Sequence, residues 1–369
     1  MNYGFDGKLV LFTFGCKFEF YKLTVKVLRI NISDGINFLS KLTIRRTMNA
    51  AKVLGSYYVS KYAHKPIQWG LPISVAIEPT TSCNLRCPEC PSGKREFTRP
   101  TGMLEEDFYK KTINELYKDI SYLIFYFQGE PYLNPKFLDM VRYASAKKIY
   151  TATSTNAHYL NDENARKTIE SGLDRLIISI DGTTQETYQK YRIGGQLEKV
   201  IEGTKNIVKW KKELKSKTPH IIFQFVVFKP NEHEVVEVKM LAKKLDVDEV
   251  RIKTAQVYDY ENGNELIPSN EEYSRYRKKE NGKYEIKSKL SNHCWRLWHS
   301  PVITWDGLVV PCCFDKDAQH QMGDLKTKSF ADLWQNREYK NFRSSVLYSR
   351  KEVDICKNCT EGTRVWETS

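Results

Sequence analysis

Residues 73–93 read ISVAIEPTTSCNLRCPECPSG, a short apolar run that leads into a loop carrying Cys83, Cys87 and Cys90. The run at 73–79 is apolar and partly β-branched, as a buried strand should be, and the turn-forming residues after it end it. Working outward, similar runs recur at 122–128 (YLIFYFQ), 149–155 (IYTATST), 175–181 (RLIISID), 220–228 (HIIFQFVVF) and 248–254 (DEVRIKT). Helix-like stretches near 104–119, 135–147, 161–172, 184–214 and 232–245 separate them. Strands alternating with helices predict βαβ units, a parallel sheet and right-handed crossovers. Six such units are fewer than a closed barrel needs. The expected fold class is therefore α/β, a partial (β/α)6 TIM-like barrel over 67–259. The polar stretch 260–285 reads as a linker. Beyond it, 286–369 reads as a small domain, with a hairpin around Asp306-Gly307 and an amphipathic helix near 329–346.

The three cysteines form a Cys-x-x-x-Cys-x-x-Cys array on the loop after the first strand. Parallel α/β folds place their chemistry at these strand ends. Three thiolates so close together hold three irons of a 4Fe–4S cube and leave the fourth iron open. Zinc is the rival, but it usually takes four protein ligands, and no fourth Cys or His lies nearby.

The segment IEPTTSCNLRCPECPSG resembles the signature of the radical S-adenosylmethionine (SAM) superfamily. The resemblance implies that the open iron chelates SAM, whose reductive cleavage yields methionine and a 5′-deoxyadenosyl radical. It also implies roles further along the chain. Gln128-Gly129-Glu130-Pro131 resembles the Gly-Gly-Glu-Pro element that meets the SAM amino group. Ser179 and Asp181 match the polar element that hydrogen-bonds the ribose, and Arg192 matches an arginine that reaches the SAM carboxylate. Glu89 departs from the pattern, because the residue before the third cysteine is usually apolar and packs on the adenine.

A second thiol group comprises Cys294, Cys312, Cys356 and Cys359. A hairpin with two thiols, closed by a distant Cys-x-x-Cys, assembles four ligands around one cube, although the same set also suits a structural zinc. The run CWRLWHSPVITWDGLVVPCCFD, followed by CKNC, resembles the SPASM/twitch auxiliary-cluster domain. Full SPASM domains hold two clusters and need more cysteines than this region has, so the single-cluster, twitch-like form fits. The nearest pattern is that of the radical SAM inosamine dehydrogenases. Cys313 is surplus, and in an extended segment it would point away from Cys312.

The chain has 369 residues, 41% of them hydrophobic and 28% charged, with nine cysteines, which describes an ordinary globular protein. Clustered thiols favour metal binding over disulfides in a reducing compartment, and no apolar run approaches the roughly 20 residues of a membrane span. A cytoplasmic location follows as the expectation. The net charge of +13 is concentrated in residues 1–66, a basic and partly helical extension with eleven Lys/Arg and three acids. Residues 36–63 read as one helix. It serves either as a basic collar or as a cationic face that meets a phosphate-rich surface such as anionic lipid.

The expected activity is hydrogen abstraction from a small-molecule or sugar-like substrate, with net oxidation assisted by an auxiliary 4Fe–4S cluster. A peptide maturase or an epimerase is the alternative. A non-enzymatic protein binding metal and nucleic acid would not need the strand-end motifs. Expected partners are an unidentified organic substrate and an electron donor such as flavodoxin or ferredoxin, with no specific nucleic acid. Asn156, Gln224, Lys253 and Asp315 are the candidates for catalysis at the barrel mouth.

Overall fold

The computed structural model describes residues 32–361; residues 1–31, which include Cys16, and 362–369 lie outside the described residues. Strands β1 (Ser74–Ile77), β2 (Tyr122–Ile124), β3 (Tyr150–Thr155), β4 (Arg175–Ser179), β5 (His220–Val227) and β6 (Glu249–Thr254) pair in chain order, all parallel. A separate hairpin, β7 (Tyr276–Lys278) and β8 (Tyr284–Ile286), occupies the stretch read as a linker. Its surface is polar, but Tyr276, Leu266 and Ile267 bury a small core against Phe228 and Val257. The main sheet does not close. Instead β9 (Val302–Ile303) pairs in parallel with the free edge of β1. Strands β10 (Leu308–Val310) and β11 (Gly323–Asp324) then continue the sheet antiparallel. The order is β11-β10-β9-β1-β2-β3-β4-β5-β6, an open parallel α/β sheet as expected, with a C-terminal hairpin grafted on one edge.

Strand alternation sorts the side chains into two layers. Ala76, Ile124, Val302 and Val310 are register partners across four strands and share the inner face with Phe127 and Cys313. Their neighbours Val75, Ile77, Leu123, Ile303 and Val309 point the other way, into the large core under the helices. Each fully buried aliphatic side chain there contributes about 1.5–3 kcal/mol.

The N-terminal segment forms α1 (Ile32–Ser40) and α2 (Ile44–Ala63) rather than one helix, because Thr43 caps α2 by accepting from Arg46 N. These helices close the floor of the barrel. Phe38 meets Tyr150 edge-on at 5.5 Å, and Tyr150 stacks on Tyr122 at 4.9 Å. Both tyrosines are first residues of their strands. Asp34 accepts from Tyr150 and pairs with Arg175, while Lys41 pairs with Asp174. Arg45 forms a two-pronged pair with Asp119 at 2.8 and 2.7 Å.

The remaining helices are α3 (Pro91–Lys94), α4 (Glu106–Leu116), α5 (Phe137–Ala146), α6 (Asp162–Glu170), α7 (Gln185–Tyr191), α8 (Leu197–Glu213), α9 (Val235–Lys244), α10 (Arg296–His299), α11 (Phe330–Trp334) and α12 (Arg337–Ser349). Two expected helices are each split. The 184–214 helix breaks at Arg192–Gly195, where Gly194 has φ +82° and a Cβ on Gly195 would lie 2.7 Å from the Tyr188 ring. The 329–346 helix breaks where Asn336 caps α12 through Tyr339 N.

Arg46 is 2% exposed and donates to the carbonyls of Lys41 (2.6 Å), Tyr117 (2.7 Å), Lys147 (3.1 Å) and Lys148. Arg46→Met leaves these acceptors without a donor and should cost about 2–4 kcal/mol. A urea or thermal melt checks this against Lys52→Met, an exposed control that should leave stability unchanged.

Candidate metal centres and cofactor site

A cavity of about 320 Å³ opens at the C-terminal strand ends, and Cys83, Cys87 and Cys90 line one side of it. Glycines determine how the cysteine loop sits. Gly129 has φ +73°, and a Cβ on it would fall 2.2 Å from the Thr80 carbonyl oxygen and 2.8 Å from that of Ser82. Gly129 N donates to Ser92 Oγ (2.9 Å) and Glu130 N to the Ser82 carbonyl (2.7 Å), so the loops after β1 and β2 are knit together. A Cβ on Gly93 would meet the backbone N and O of Cys87 at 2.6 Å each. Only a bare backbone allows these approaches. Cys90 then enters α3, with Pro91 at its first position.

Burial pushes the Cys83 thiol up to about 12, and Glu130, Cys87 and Cys90 add to this. Burial also raises Cys87, while Arg192, with Nη1 3.8 Å from its sulfur, pulls it back. Thiols raised this far are protonated at neutral pH and ionise only as metal displaces the proton, which suits ligands rather than free nucleophiles. Among the described residues, no three Cys, His, Asp or Glu side chains converge on one point as the ligands of a single ion would. A cube spreads its thiolates wider than one zinc does. The donor set and the glycine cradle fit a 4Fe–4S cube with one iron left for another ligand.

Glu130 is 2% exposed and accepts from Thr155 Oγ1 (2.8 Å), Asn156 N (2.8 Å) and Tyr132 N (3.3 Å). Burial pushes its carboxyl up to about 7, and these hydrogen bonds oppose the shift. Gln128 and Gly129 line the cavity with it, and Gln128 Oε1 stands 3.9 Å from Cys90 Sγ. Pro131 starts a tight turn over Pro131–Leu133. Ser179 and Arg192 also line the cavity.

Asp181 does not face the cavity as a ribose ligand would. It is fully buried, with one oxygen on Arg192 Nε (2.6 Å) and the other on Val226 N (2.7 Å). Its place is to hold Arg192. Glu89 accepts from Tyr258 N (2.9 Å), clasping the segment after β6.

Of the catalytic candidates, Gln224 and Asn156 line the cavity. Asn156 is engaged with Glu130, Asn84 (2.8 Å) and His158 N (3.1 Å), so it braces the loop. Lys253 is exposed on β6, outside the lining. Asp315 is 1% exposed and accepts from Gln319 N and His320 N, both at 2.8 Å, which makes it a turn residue. Sequence reasoning missed Tyr126, Phe127, Tyr191 and Lys316 on the cavity wall. The aromatic run YLIFYFQ continues past the end of β2 and signals the first two, whereas nothing in the sequence marks Lys316.

In the C-terminal region, burial raises the Cys312 thiol, with Cys313, Cys294 and Cys356 adding. Burial takes Cys356 up to about 12, with Cys359 and Cys294 adding and Arg350 opposing. Cys294 acts on Cys312, Cys356 and Cys359 alike, while Cys312 feels its neighbour Cys313 more than any other thiol. Cys313 packs instead with Ala76, Val302, Val310 and Ala318 on the inner face. The two adjacent cysteines are not on an extended segment as expected; β10 ends at Val310 and 311–314 form a bend and turn.

The radical SAM superfamily model matches residues 77–242, and the iron–sulfur cluster-binding SPASM domain model matches 294–360. The tungsten-containing aldehyde ferredoxin oxidoreductase cofactor-modifying protein of Pyrococcus furiosus is 29% identical over 299 residues, 72% of this chain and 82% of that protein. The PqqA peptide cyclase of Bradyrhizobium diazoefficiens is 26% identical over 319 residues, 79% of each. In fold, the chain is similar to Streptococcus suis SuiB bound to S-adenosylmethionine, with a TM-score of 0.59 at 14% identity, covering 85% of this chain and 76% of that one. The chain belongs to the radical SAM superfamily and carries a SPASM domain, with a SAM-binding 4Fe–4S cluster, auxiliary iron–sulfur and SAM itself as its cofactors.

Proposed function

We propose that this chain oxidises a small-molecule or sugar-like substrate and carries one auxiliary 4Fe–4S cluster rather than two. When bound, SAM and its cluster supply a 5′-deoxyadenosyl radical for hydrogen abstraction, and the auxiliary cluster supplies an electron acceptor. Cys83, Cys87 and Cys90 hold the first cluster, and Glu130 receives the ammonium group of SAM. Arg192, steadied by Asp181, meets its carboxylate, and Ser179 faces the ribose. Cys294, Cys312, Cys356 and Cys359 hold the second cluster. The observation that supports this reading is the packing of Cys313 with Ala76, Val302 and Val310, while Cys294 stands near Cys312, Cys356 and Cys359. Four thiolates saturate a cube and leave no iron open to substrate.

The small-molecule reading draws support from α1 and α2, whose Asp34, Lys41 and Arg45 are committed to ion pairs on the barrel floor. The second reading is peptide modification, favoured by the relative that is named a peptide cyclase; epimerisation is a further outcome of the same radical step. Flavodoxin or ferredoxin supplies electrons, and the location is cytoplasmic. No described helix is long and apolar enough to cross a membrane. Peripheral contact with anionic lipid through 36–63 would rest on the exposed Ile36, Leu39, Ile44 and Met48, because Lys41, Arg45 and Arg46 already face protein groups. The same engagement argues against specific nucleic-acid binding.

Anaerobic reconstitution should load about eight irons per chain, and Cys83→Ala/Cys87→Ala/Cys90→Ala about four. Cys313→Ser should keep the full complement, whereas Cys359→Ser should lose or disturb the auxiliary cluster. Stoichiometric zinc in the triple variant would sink the auxiliary-cluster assignment.

A carboxyl raised to about 7 is largely protonated at pH 6 and ionised at pH 8. If it receives an ammonium, whose own pKa is about 7.7–8, SAM affinity should strengthen by roughly fivefold from pH 6 to pH 7 and then level off, and Glu130→Gln should bind weakly with no such rise. Anaerobic equilibrium binding measures this, and a flat wild-type profile removes Glu130 from the SAM contact.

A further inference from the structure

Two arginines around the auxiliary thiols are buried without a carboxylate. Arg350 is 2% exposed, and its Nη2 lies 3.4 Å from Cys359 Sγ. Its other partners are the carbonyls of His293 and Glu361, both at 3.0 Å, and its Nε has none. Arg275 is 8% exposed and donates to the carbonyls of Asn358 (3.3 Å) and Thr254 (3.4 Å), again with an unpartnered Nε. Asn358 lies between Cys356 and Cys359, so the two guanidiniums both reach the Cys-x-x-Cys loop. Among the described residues, neither forms an ion pair with an acid. Buried cations are costly unless a negative charge answers them.

The first thiol group differs. Its arginine, Arg192, also approaches a cysteine, but its Nε is bound to the buried Asp181 at 2.6 Å, which cancels its charge locally. Arg296 is likewise answered, by Glu361 at 3.4 Å, while Arg343 of α12, also buried without an acid, lies over the rings of Trp334 and Tyr339 at 4.4 and 4.6 Å and, among the described residues, donates to no thiol. Among the buried arginines without an acid, Arg350 and Arg275 are the two that reach the Cys-x-x-Cys loop. A cube held by four thiolates has a net charge of about −2, and reduction adds a further negative charge.

We propose that Arg275 and Arg350 are the counter-charges of the auxiliary cluster. They stabilise its reduced form and set its potential above that of the SAM-binding cluster. The inference rests on the auxiliary-cluster part of the proposed function and not on the identity of the substrate. It also gives the hairpin β7–β8, which Arg275 immediately precedes, a part in tuning the cluster rather than only in linking segments.

The test is an EPR-monitored redox titration of the auxiliary cluster in the Cys83→Ala/Cys87→Ala/Cys90→Ala chain, with neither SAM nor substrate. Arg350→Met and Arg275→Met should each lower the ratio of reduced to oxidised cluster at a fixed solution potential by about tenfold, a midpoint shift of about 59 mV for one electron. Arg350→Lys should stay near the parent value. Loss of iron from Arg350→Met that Arg350→Lys restores, at the parent midpoint, also supports the proposal. Full iron with an unchanged midpoint in both Met variants overturns it. So does equal loss of iron from Arg350→Met and Arg350→Lys, since the guanidinium's carbonyl bonds would then matter and its charge would not. A parent chain that holds no iron would instead defeat the auxiliary-cluster reading itself.

Discussion

The two metal centres depend on one strand. β1 pairs with β2 on one edge and with β9 on the other, and the first cysteine loop leaves its C-terminal end. Cys312 follows the partner strand of β9, so hydrogen bonds within one sheet set the spacing between the thiol groups, not the polar stretch between them. A buried ion pair locks this junction. Glu78 is fully buried and receives both prongs of Arg99 at 2.8 and 2.6 Å, together with Trp305 N at 3.2 Å. Burial lifts the Glu78 carboxyl and Arg99 pulls it back. Such a pair adds little net stability, but loss of either partner strands a buried charge at a cost of about 3–5 kcal/mol. Arg99 closes the segment after the cysteine loop, and Trp305 opens the hairpin turn. The pair therefore couples both centres.

The opposite end of the barrel engages three of the extension's basic residues, Lys41, Arg45 and Arg46. Helices α4 and α5 end near Tyr117 and Lys147, where their last carbonyls carry partial negative charge. Arg46 serves both ends, while Arg45 and Lys41 answer Asp119 and Asp174 on the loops into the strands. The basic extension thus complements the floor of the barrel from outside the family's shared motifs. Similarity to the motifs could not reveal this, because the pairing joins residues more than seventy positions apart.

What was legible in the sequence was what local chemistry marks. Apolar runs and turn residues outlined six parallel strands, and cysteine spacing outlined two thiol groups. What was not legible depended on tertiary partners. Asp181 ends its strand as a ribose ligand would, but Arg192 sits close enough to take it. The stretch 260–285 looked like a linker because its few buried residues, Tyr276 above all, are scattered among exposed charges. Helix breaks at Thr43, Gly195 and Asn336 turn on single caps or contacts that periodicity averages away. Cys312 and Cys313 lie in a bend and turn rather than in an extended strand, so strand alternation is not what orients them.

The same commitments narrow where substrate selectivity can reside. Around the cavity, Glu130 is held by Thr155 and Asn156, Asn156 by Asn84, and Arg192 by Asp181. Glu89 is clasped to Tyr258. Groups engaged in this way keep a site in shape but have little freedom to follow a new ligand. Among the described residues, the lining polar side chains without a hydrogen-bonded partner include Gln224, at the upper part of β5, and Lys316 from the turn after Cys313; Lys316 rests on the Tyr258 ring at 4.9 Å. One belongs to the barrel and the other to the SPASM region, and Phe127, packed with Cys313, forms the apolar wall below them. Lys316 thereby brings the turn after Cys313 to the cavity wall. That turn is held in place by Asp315 and by Asp317, which accepts from Thr98 N at 2.9 Å.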